Sequence, residues 1–267
     1  MRLFLWPHRL LLVGPAFDTA LHRHHAAQLC VGLPGPLHLR RSPRGHWLTA
    51  WGFFIPPDMP HQLDAGGSKT AFLYLEPEGA EYAAQRSRFE HEGPGIQALS
   101  ETTERKRLAA ELAQATCCGE ADDLSRALLG EPLDASTPAP LDERVRRALL
   151  WVAAHLQEPV RLRAVARAAV ASESHLAHLF RAQVGLPLRR YVLWRRLRVA
   201  VEKMLAGNSL TAAAHEAGFA DAAHLSRTFR DTFGVTPSAT FRRTGGFAAE
   251  LCGDVPQDLP ERRGRYR

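Results

Sequence analysis

Seven of the thirteen histidines in this 267-residue chain fall within its first 61 positions. His22 and His24 stand two apart, the spacing that puts two side chains on one face of a β-strand, while His25 points to the other face. His61, on a later strand, can join them across a sheet. Three neutral imidazoles brought together in this way suit Zn, Fe, Ni or Cu. The same residues suit hydrogen bonding to a small molecule, or a set of satisfied core histidines. The second chemistry in the chain is charge. Residues 141–243 hold 17 basic and 8 acidic side chains, net +9, whereas the remaining residues hold 17 and 20. A basic segment joined to a slightly acidic one points to a polyanion as partner of the former. There is no Ser/His/Asp or Cys/His arrangement in a recognisable local context, no phosphate-binding glycine loop and no dinucleotide fingerprint, so no catalytic residues are expected.

Those side chains need elements to hold them, and the period of the apolar residues changes along the chain. Residues 1–80 show short apolar runs such as Gln28–Leu33 and Trp51–Ile55, separated by turn signals at Pro34-Gly35-Pro36, Ser42-Pro43 and Gly66-Gly67. That spacing predicts a small all-β sandwich or barrel. Over 81–140 the leucines at 108, 112, 124, 128 and 129 predict two short helices, followed by a Pro-rich linker over Glu131–Pro140. Residues 141–244 read as helix nearly throughout, and 245–267 as a flexible tail. Four cysteines, Cys30, Cys117, Cys118 and Cys252, are too few and too scattered for a disulfide framework. A reducing cytoplasm fits them, with Cys117-Cys118 read as inert thiols rather than a redox pair. The apolar N-terminal run is broken by Pro7, His8 and Arg9, which argues against a signal peptide or a membrane span.

The basic segment contains a repeat. His175, Leu176, Phe180, Arg181 and Gly185 recur as His224, Leu225, Phe229, Arg230 and Gly234, each 49 positions on. Leu and Phe four apart share one helical face, and Gly stands where a helix ends. A short apolar helix precedes each copy, over Leu162–Val170 and Leu210–Ala217, with Ser172 and Asp221 as N-caps of the helices that follow. Two helix-turn-helix units are therefore expected. Between them Leu188–Leu205 predicts a helix of roughly 27 Å. A connector of that length sets two recognition helices in successive major grooves, about 34 Å apart. Leu176, Phe180, Leu225, Phe229, Phe219 and Trp194 read as core.

These residues resemble the AraC/XylS family of bacterial transcription regulators. The likeness lies in Arg196-Leu197-x-x-Ala200, in Leu210-x-x-Ala213-Ala214-x-x-x-Gly218-Phe219, in Leu225-x-x-x-Phe229 and in Gly234-Val235-Thr236-Pro237, over about a hundred residues. One departure is an extra residue between Pro237-Ser238 and Phe241-Arg242. The resemblance implies double-stranded promoter DNA as partner, RNA polymerase as a further one, and a homodimer built through the helices near Glu104–Leu129. By position in the family pattern, Ser174, Ala177 and His178 of the first unit and Ala223, His224, Ser226 and Arg227 of the second would meet base edges, with Arg227 able to pair with both acceptors of a guanine. Arg181, Arg189, Arg190, Arg195, Arg196, Arg230 and Arg242 would meet phosphate.

The N-terminal half is similar to the cupin fold. His22-x-His24-x-x-x-Gln28, followed by Gly35, looks like its first motif with Gln28 in place of a carboxylate, and Pro56-x-Asp58-x-x-His61 like its second. The resemblance implies a multidomain chain: a cupin-like β-barrel that senses a small-molecule effector, then an all-α DNA-binding domain with two helix-turn-helix units joined by a long helix. His22, His24, Gln28, Trp51 and His61 are the expected effector-pocket residues, alongside Trp47, Phe53 and Phe54. No cofactor is expected, while a divalent metal at His22, His24 and His61 is the alternative. The rival function is a metal-dependent cupin enzyme or metal sensor with an appended DNA-binding segment.

Overall fold

The structure, a computed structural model, describes residues 1–15, 18–79, 81–82, 95–130, 141–242 and 248–252. Its N-terminal half is built from β1 (Arg2–Trp6), β2 (Arg9–Pro15), β3 (Ala27–Leu33), β4 (Leu37–Arg40), β5 (Leu48–Ala50), β6 (Gly52–Ile55), β7 (Gln62–Asp64), β8 (Lys69–Leu75) and β9 (Gln97–Ala98). A tenth strand, β10 (Ala248–Leu251), returns from the far end of the chain and pairs with β1 in parallel. The order in the larger sheet is β10-β1-β2-β8-β3-β6-β9, and the smaller sheet is β5-β4-β7.

Alternation along β3 and β8 explains how this half packs. Ala27, Leu29 and Val31, with Ala71, Leu73 and Leu75, face α1 (Thr103–Leu112) and α2 (Cys118–Leu129), and contribute to one core with Leu108, Leu112, Leu128 and Leu129. Cys30 and Phe72 face the other way, into a core with Leu37, Leu39, Phe53, Ile55 and Leu63 between the two sheets. A strand buried on both faces loses the polar alternation of an edge, and every residue of β3 is buried. Arg9 is buried beside them, stacked 4.0 Å over the Trp6 ring and paired with Asp122 of α2.

Two expectations change here. The barrel does not close: among the described strands the larger sheet ends at β9 and β10 and the smaller at β5 and β7, so the half is two open sheets. The helices near 104–129 form and bury their apolar faces on the larger sheet. The stretch expected to be a frayed tail contributes β10, and Cys252 beyond it forms a disulfide with Cys118 across 134 residues. No local spacing rule could report that pair, because the chain returns to the sheet only after the whole helical half. The expected linker, 131–140, and the tail from 253 onward lie outside the described residues.

The helical half contains α3 (Glu143–Ala154), α4 (Leu162–Ala168), α5 (Glu173–Val184), α6 (Leu188–Leu205), α7 (Leu210–Glu216), α8 (Ala222–Phe233) and α9 (Pro237–Arg242). The capping follows the spacing. Ser172 Oγ accepts from His175 N–H and Asp221 Oδ1 from His224 N–H, while Gly185 and Gly234 end α5 and α8 at φ of +83° and +71°. Two cores result, one joining α3, α4 and α5 around Leu176 and Phe180, the other setting α7 and α8 on α6 around Leu225, Phe229 and Phe219. The turns differ between copies. Gly218 sits at φ +80°, where a Cβ would lie 2.3 Å from the Leu156 carbonyl oxygen, so no side chain fits. At the equivalent place the first unit has Val170, left-handed at φ 52° and 73% exposed. Among the described residues no helix is long and apolar enough to cross a membrane.

The disulfide ties α2 to the strand that ends the described chain, so it restrains the unfolded state across about half of the sequence. Reducing it is expected to lower unfolding free energy by up to about 4 kcal/mol. Thermal melts with and without a thiol reductant should show that loss, and Cys252→Ser should show it without reductant. A melt indifferent to both would mean that β10 alone holds the terminus.

Candidate functional site

Two groups of side chains stand out: a histidine-lined cleft where the two halves meet, and the outward faces of the two helix-turn-helix units.

His22 and His61 face each other through a single antiparallel bridge, with N···O distances of 2.9 Å in both directions. His24 follows in the irregular segment before β3, so the trio is held by a bridge and a bend instead of one continuous strand. The three rings nonetheless converge, with centroids 4.1 Å apart for His22 and His61, 5.0 Å for His24 and His61 and 5.6 Å for His22 and His24. All three are buried, as is Gln28, whose Oε1 lies 2.7 Å from His24 Nε2. Burial pushes the His22 imidazolium down to about 3, and it likewise lowers His24 and His61, so the trio is neutral at ordinary pH. His25 points away, as the two-residue period predicts, with its Nε2 3.0 Å from Glu78 Oε2 and its ring near Trp194.

His22, Gln28 and His61 line a cleft whose empty space, open solvent included, is about 680 Å³. Its apolar wall comes from both halves: Leu10, Leu12, Phe72 and Tyr74 from the strands, Val201 from α6, Phe229 and Phe233 from α8, and Phe241 from α9. Trp51 does not reach the cleft. It is buried between the larger sheet and its helices, because the bend between β5 and β6 that carries it breaks the alternation and turns it to the Phe54 face. Phe53 and Phe54 are likewise core, and Trp47 is exposed beneath Arg40. The aromatics of the cleft come instead from β8, α8 and α9.

The cleft exists because α6 docks on the β half through charge. Glu76, just after β8, is 3% exposed, with Arg198 Nη1 2.8 Å from Oε1 and Arg195 Nη1 3.6 Å from Oε2. Trp194 donates its indole N–H to Oε1 at 3.2 Å, and His8 Nδ1 lies 3.2 Å from Oε2. Burial alone would raise the Glu76 carboxyl, but the His8 hydrogen bond and the Arg198 and Arg195 charges outweigh it, pushing it down to about 2. His8 is raised in turn, chiefly by that hydrogen bond. A second pair, Arg190 to Asp58 at 2.8 Å, joins the start of α6 to the same half. At the far end of α8 the Gly234 carbonyl accepts from Ala20 N–H at 3.0 Å.

The helical half presents the other group. Ser174, His178, Ala223 and Arg227 are exposed, with Ala177, His224 and Ser226 half-buried along the same two helices. Arg181, Arg189 and Arg230 are exposed as well. Three arginines expected on phosphate are engaged within the protein. Arg190 and Arg195 face Asp58 and Glu76, and Arg196 donates to the carbonyls of Leu156 and Glu158, closing the turn after α3. The Arg242 side chain lies outside the described residues. Sequence reasoning missed Glu76 and Arg198, whose partners lie about 120 positions apart. It also read Trp194 as helical core, whereas the indole turns to Glu76.

A helix, turn and helix occurs twice on a connecting helix, with exposed polar positions along the second helix of each pair. Residues 165–243 match the family described as a helix-turn-helix domain. Over 103 residues the chain is 30% identical to the regulatory protein PocR of Salmonella typhimurium, covering 38% of this chain and 34% of that protein. Over 113 residues it is 31% identical to the arabinose operon regulatory protein of Escherichia coli, covering 40% and 38%. The chain thus matches little more than a third of the length of these curated relatives. In fold it is similar to ToxT of Vibrio cholerae with an unsaturated fatty acid bound, at a TM-score of 0.61 and 12% identity over 91% of this chain and 98% of that one. The segment matched lies within the duplicated helices, and these relatives are what it is similar to.

Because Glu76 is held below its ordinary value, its contribution to stability is complete above about pH 4.5 and drains as pH falls toward about 2. Thermal melts between pH 2 and 6 should show a steep acid limb that Glu76→Gln flattens. Glu76→Ala should cost about 3–5 kcal/mol, since it removes the buried carboxylate that Arg195 and Arg198 share, leaving Arg198 only Glu202 and the Trp6 carbonyl. An acid limb unchanged in Glu76→Gln would assign it to other carboxylates.

Proposed function

We propose that this chain is a sequence-specific, DNA-binding transcription regulator whose β half responds to a small molecule. The observation that carries the reading is the duplicated helix-turn-helix, 49 residues apart, within a segment of AraC type. In such a unit the N-terminal part of the second helix meets base edges. The exposure of Ser174, His178, Ala223 and Arg227 supports their assignment to that role, with Ala177, His224 and Ser226 beside them. Arg227 takes the guanine-reading place, and Ala177 and Ala223 offer methyl contacts. Arg181, Arg189 and Arg230 are the phosphate contacts supported by exposure; Arg190, Arg195 and Arg196 join them only if they leave their present partners.

The cleft supports the sensing role. It is apolar over most of its wall, with His22, His61, Gln28, Thr19 and Thr240 as polar positions, and it is walled by both halves. A hydrophobic molecule with one polar head suits such a lining. Because α8 supplies Phe229 and Phe233 to the wall, an occupant contacts the second helix-turn-helix unit directly.

Selection from randomised duplexes tests the reading. The full chain should enrich a bipartite site with half-sites one helical turn apart. Arg227→Ala should relax preference at one base pair at a cost of about 1–3 kcal/mol, while Arg181→Ala should weaken all sequences alike and lower the salt slope by about one. An enrichment profile that Arg227→Ala leaves unchanged would remove that residue from base reading, and no enrichment at all would remove the function.

A further inference from the structure

The disulfide between Cys118 and Cys252 joins distant parts of the chain, and the strand that carries one end of it is held by little else. Cys118 opens α2 and is half-buried, while Cys252, just after β10, is buried in the core between the larger sheet and its helices. β10 brings four residues into register with β1, yet Ala248, Ala249 and Leu251 are exposed and Glu250 is half-buried. Backbone hydrogen bonds fix its two ends, from Ala248 N–H to the Met1 carbonyl at 3.1 Å and from Cys252 N–H to the Leu5 carbonyl at 2.8 Å. An edge strand with so little buried apolar surface stands at the low end of local stability. The S–S bond is therefore a main restraint on where β10 lies.

What that strand restrains is the helical half. Ala248 follows Arg242, the last residue of α9, by six positions, a reach of roughly 20 Å at full extension. α9 supplies Thr240 and Phe241 to the wall of the cleft, and the Phe241 ring lies 6.3 Å from that of Phe229 in α8. With the bond closed, every helix from α3 to α9 lies inside one covalent ring and is tied to the β half at both ends. With it open, one covalent tie remains. The docking of α6 onto Glu76 then loses the part of its effective concentration that the second tie supplied. In the docked state Asp58 and Glu76 hold Arg190 and Arg195, two side chains proposed above for phosphate.

The surroundings also suit the open bond. A disulfide sulfur has no proton to donate, yet Glu250 Oε2 lies 3.4 Å from Cys118 Sγ and the Glu250 carbonyl oxygen 3.6 Å from Cys252 Sγ. Each thiol would find an acceptor in place. A chain that reads promoter DNA, the reading on which this inference rests, works where cellular thiols keep most cysteines reduced, and disulfides there are characteristically transient or redox-sensing. We propose that Cys118 and Cys252 form a reversible thiol–disulfide exchange site whose substrate is a dithiol, and that the closed bond holds the helical half on the β half and weakens its binding to DNA. Reduction begins when a thiolate of the dithiol adds to Cys118 Sγ, the more accessible sulfur. The S–S bond breaks, and its electron pair passes to Cys252 Sγ, which takes up a proton. The second thiolate of the reductant then attacks the reductant's own sulfur in the mixed disulfide. Cys118 leaves as a thiolate and takes up a proton, and the dithiol departs as its disulfide. The oxidised dithiol runs the same steps in reverse.

The test uses the full chain, prepared oxidised and then equilibrated with dithiothreitol without denaturant. Alkylation of quenched, unfolded samples should find Cys30 and Cys117 free in the oxidised chain and all four cysteines free in the reduced one, with oxidised dithiothreitol restoring the pair. Hydrogen exchange of the reduced, folded chain should speed at β10 and α9 by about 10-fold or more, while β3 and β8 keep their protection. Affinity for the selected duplex should rise about 10-fold on reduction, and Cys252→Ser should bind in oxidising buffer as tightly as the reduced chain. Cys117→Ser, which removes the exposed neighbouring thiol, should leave all three readouts unchanged. A bond that dithiothreitol opens only in denaturant overturns the site, as does hydrogen exchange indifferent to reduction or a pairing that Cys117→Ser abolishes. Duplex binding separates the two readings. Equal affinity in both redox states keeps the regulator and loses the switch, whereas a chain that exchanges with the dithiol but binds DNA in neither state loses the regulator and, with it, the effect on DNA.

Discussion

A carboxylate withdrawn from water remains an ion only where cations and donors surround it, and Glu76 finds these on both halves of the molecule. His8 belongs to the strands, while Trp194, Arg195 and Arg198 belong to the connector helix α6. Neither half satisfies the group alone. The docking of α6 that follows brings Val201, Phe229 and Phe233 over Leu10, Phe72 and Tyr74, and that juxtaposition makes the cleft. The charge cluster thus comes before the apolar wall in the logic of the structure. Apolar contact is non-directional, whereas the paired carboxylate fixes which turn of α6 meets the end of β8.

The same arginines carry a conflict. A connector between two helix-turn-helix units is placed near a phosphate backbone, and its basic side chains read naturally as phosphate contacts. Here Asp58 and Glu76 take Arg190 and Arg195 instead, and Arg198 with them. Each carboxylate occupies a side chain that a polyanion would otherwise attract. On the proposed reading of Arg190 and Arg195 as phosphate contacts, docking of the β half and binding of a polyanion would draw on common cations. Any ligand that changes the docking free energy changes the second equilibrium by the same coupling, in either direction.

Much of the helical half was legible because its rules are local. The 49-residue offset, the Ser172 and Asp221 caps and the terminal glycines Gly185 and Gly234 depend on residues within one or two turns, and all appear at the expected places. The β half was legible as strands but not as an architecture. Closure of a sheet is a matter of which edges meet, and the strand that covers the β1 edge comes from position 248. Cys118 and Cys252 were unreadable for the same reason. His22, His24 and His61 were legible as a trio from the two-residue alternation, although an isolated bridge carries His22 and an irregular segment His24. Trp51 lies in the other core because a bend between β5 and β6 carries it, and residue type alone does not report such a break in alternation.

The two copies of the repeat look equivalent at their terminal glycines, yet the structure separates them there. Both Gly185 and Gly234 adopt the left-handed conformation that ends a helix, which is all a capping rule requires. At Gly185 a Cβ would meet nothing within 4 Å. At Gly234 it would lie 2.7 Å from His22 Nδ1 and 2.8 Å from the Ala20 carbonyl oxygen. The second glycine is therefore needed twice, once for its backbone and once for the close approach of the β half. Only the second unit rests on the histidines and lends aromatics to the cleft, while the first keeps its own core with α3 and α4. A change in the cleft reaches α8 directly and reaches α5 only through α6. The asymmetry between the units thus lies in what their glycines touch, and not in their helix-turn-helix geometry.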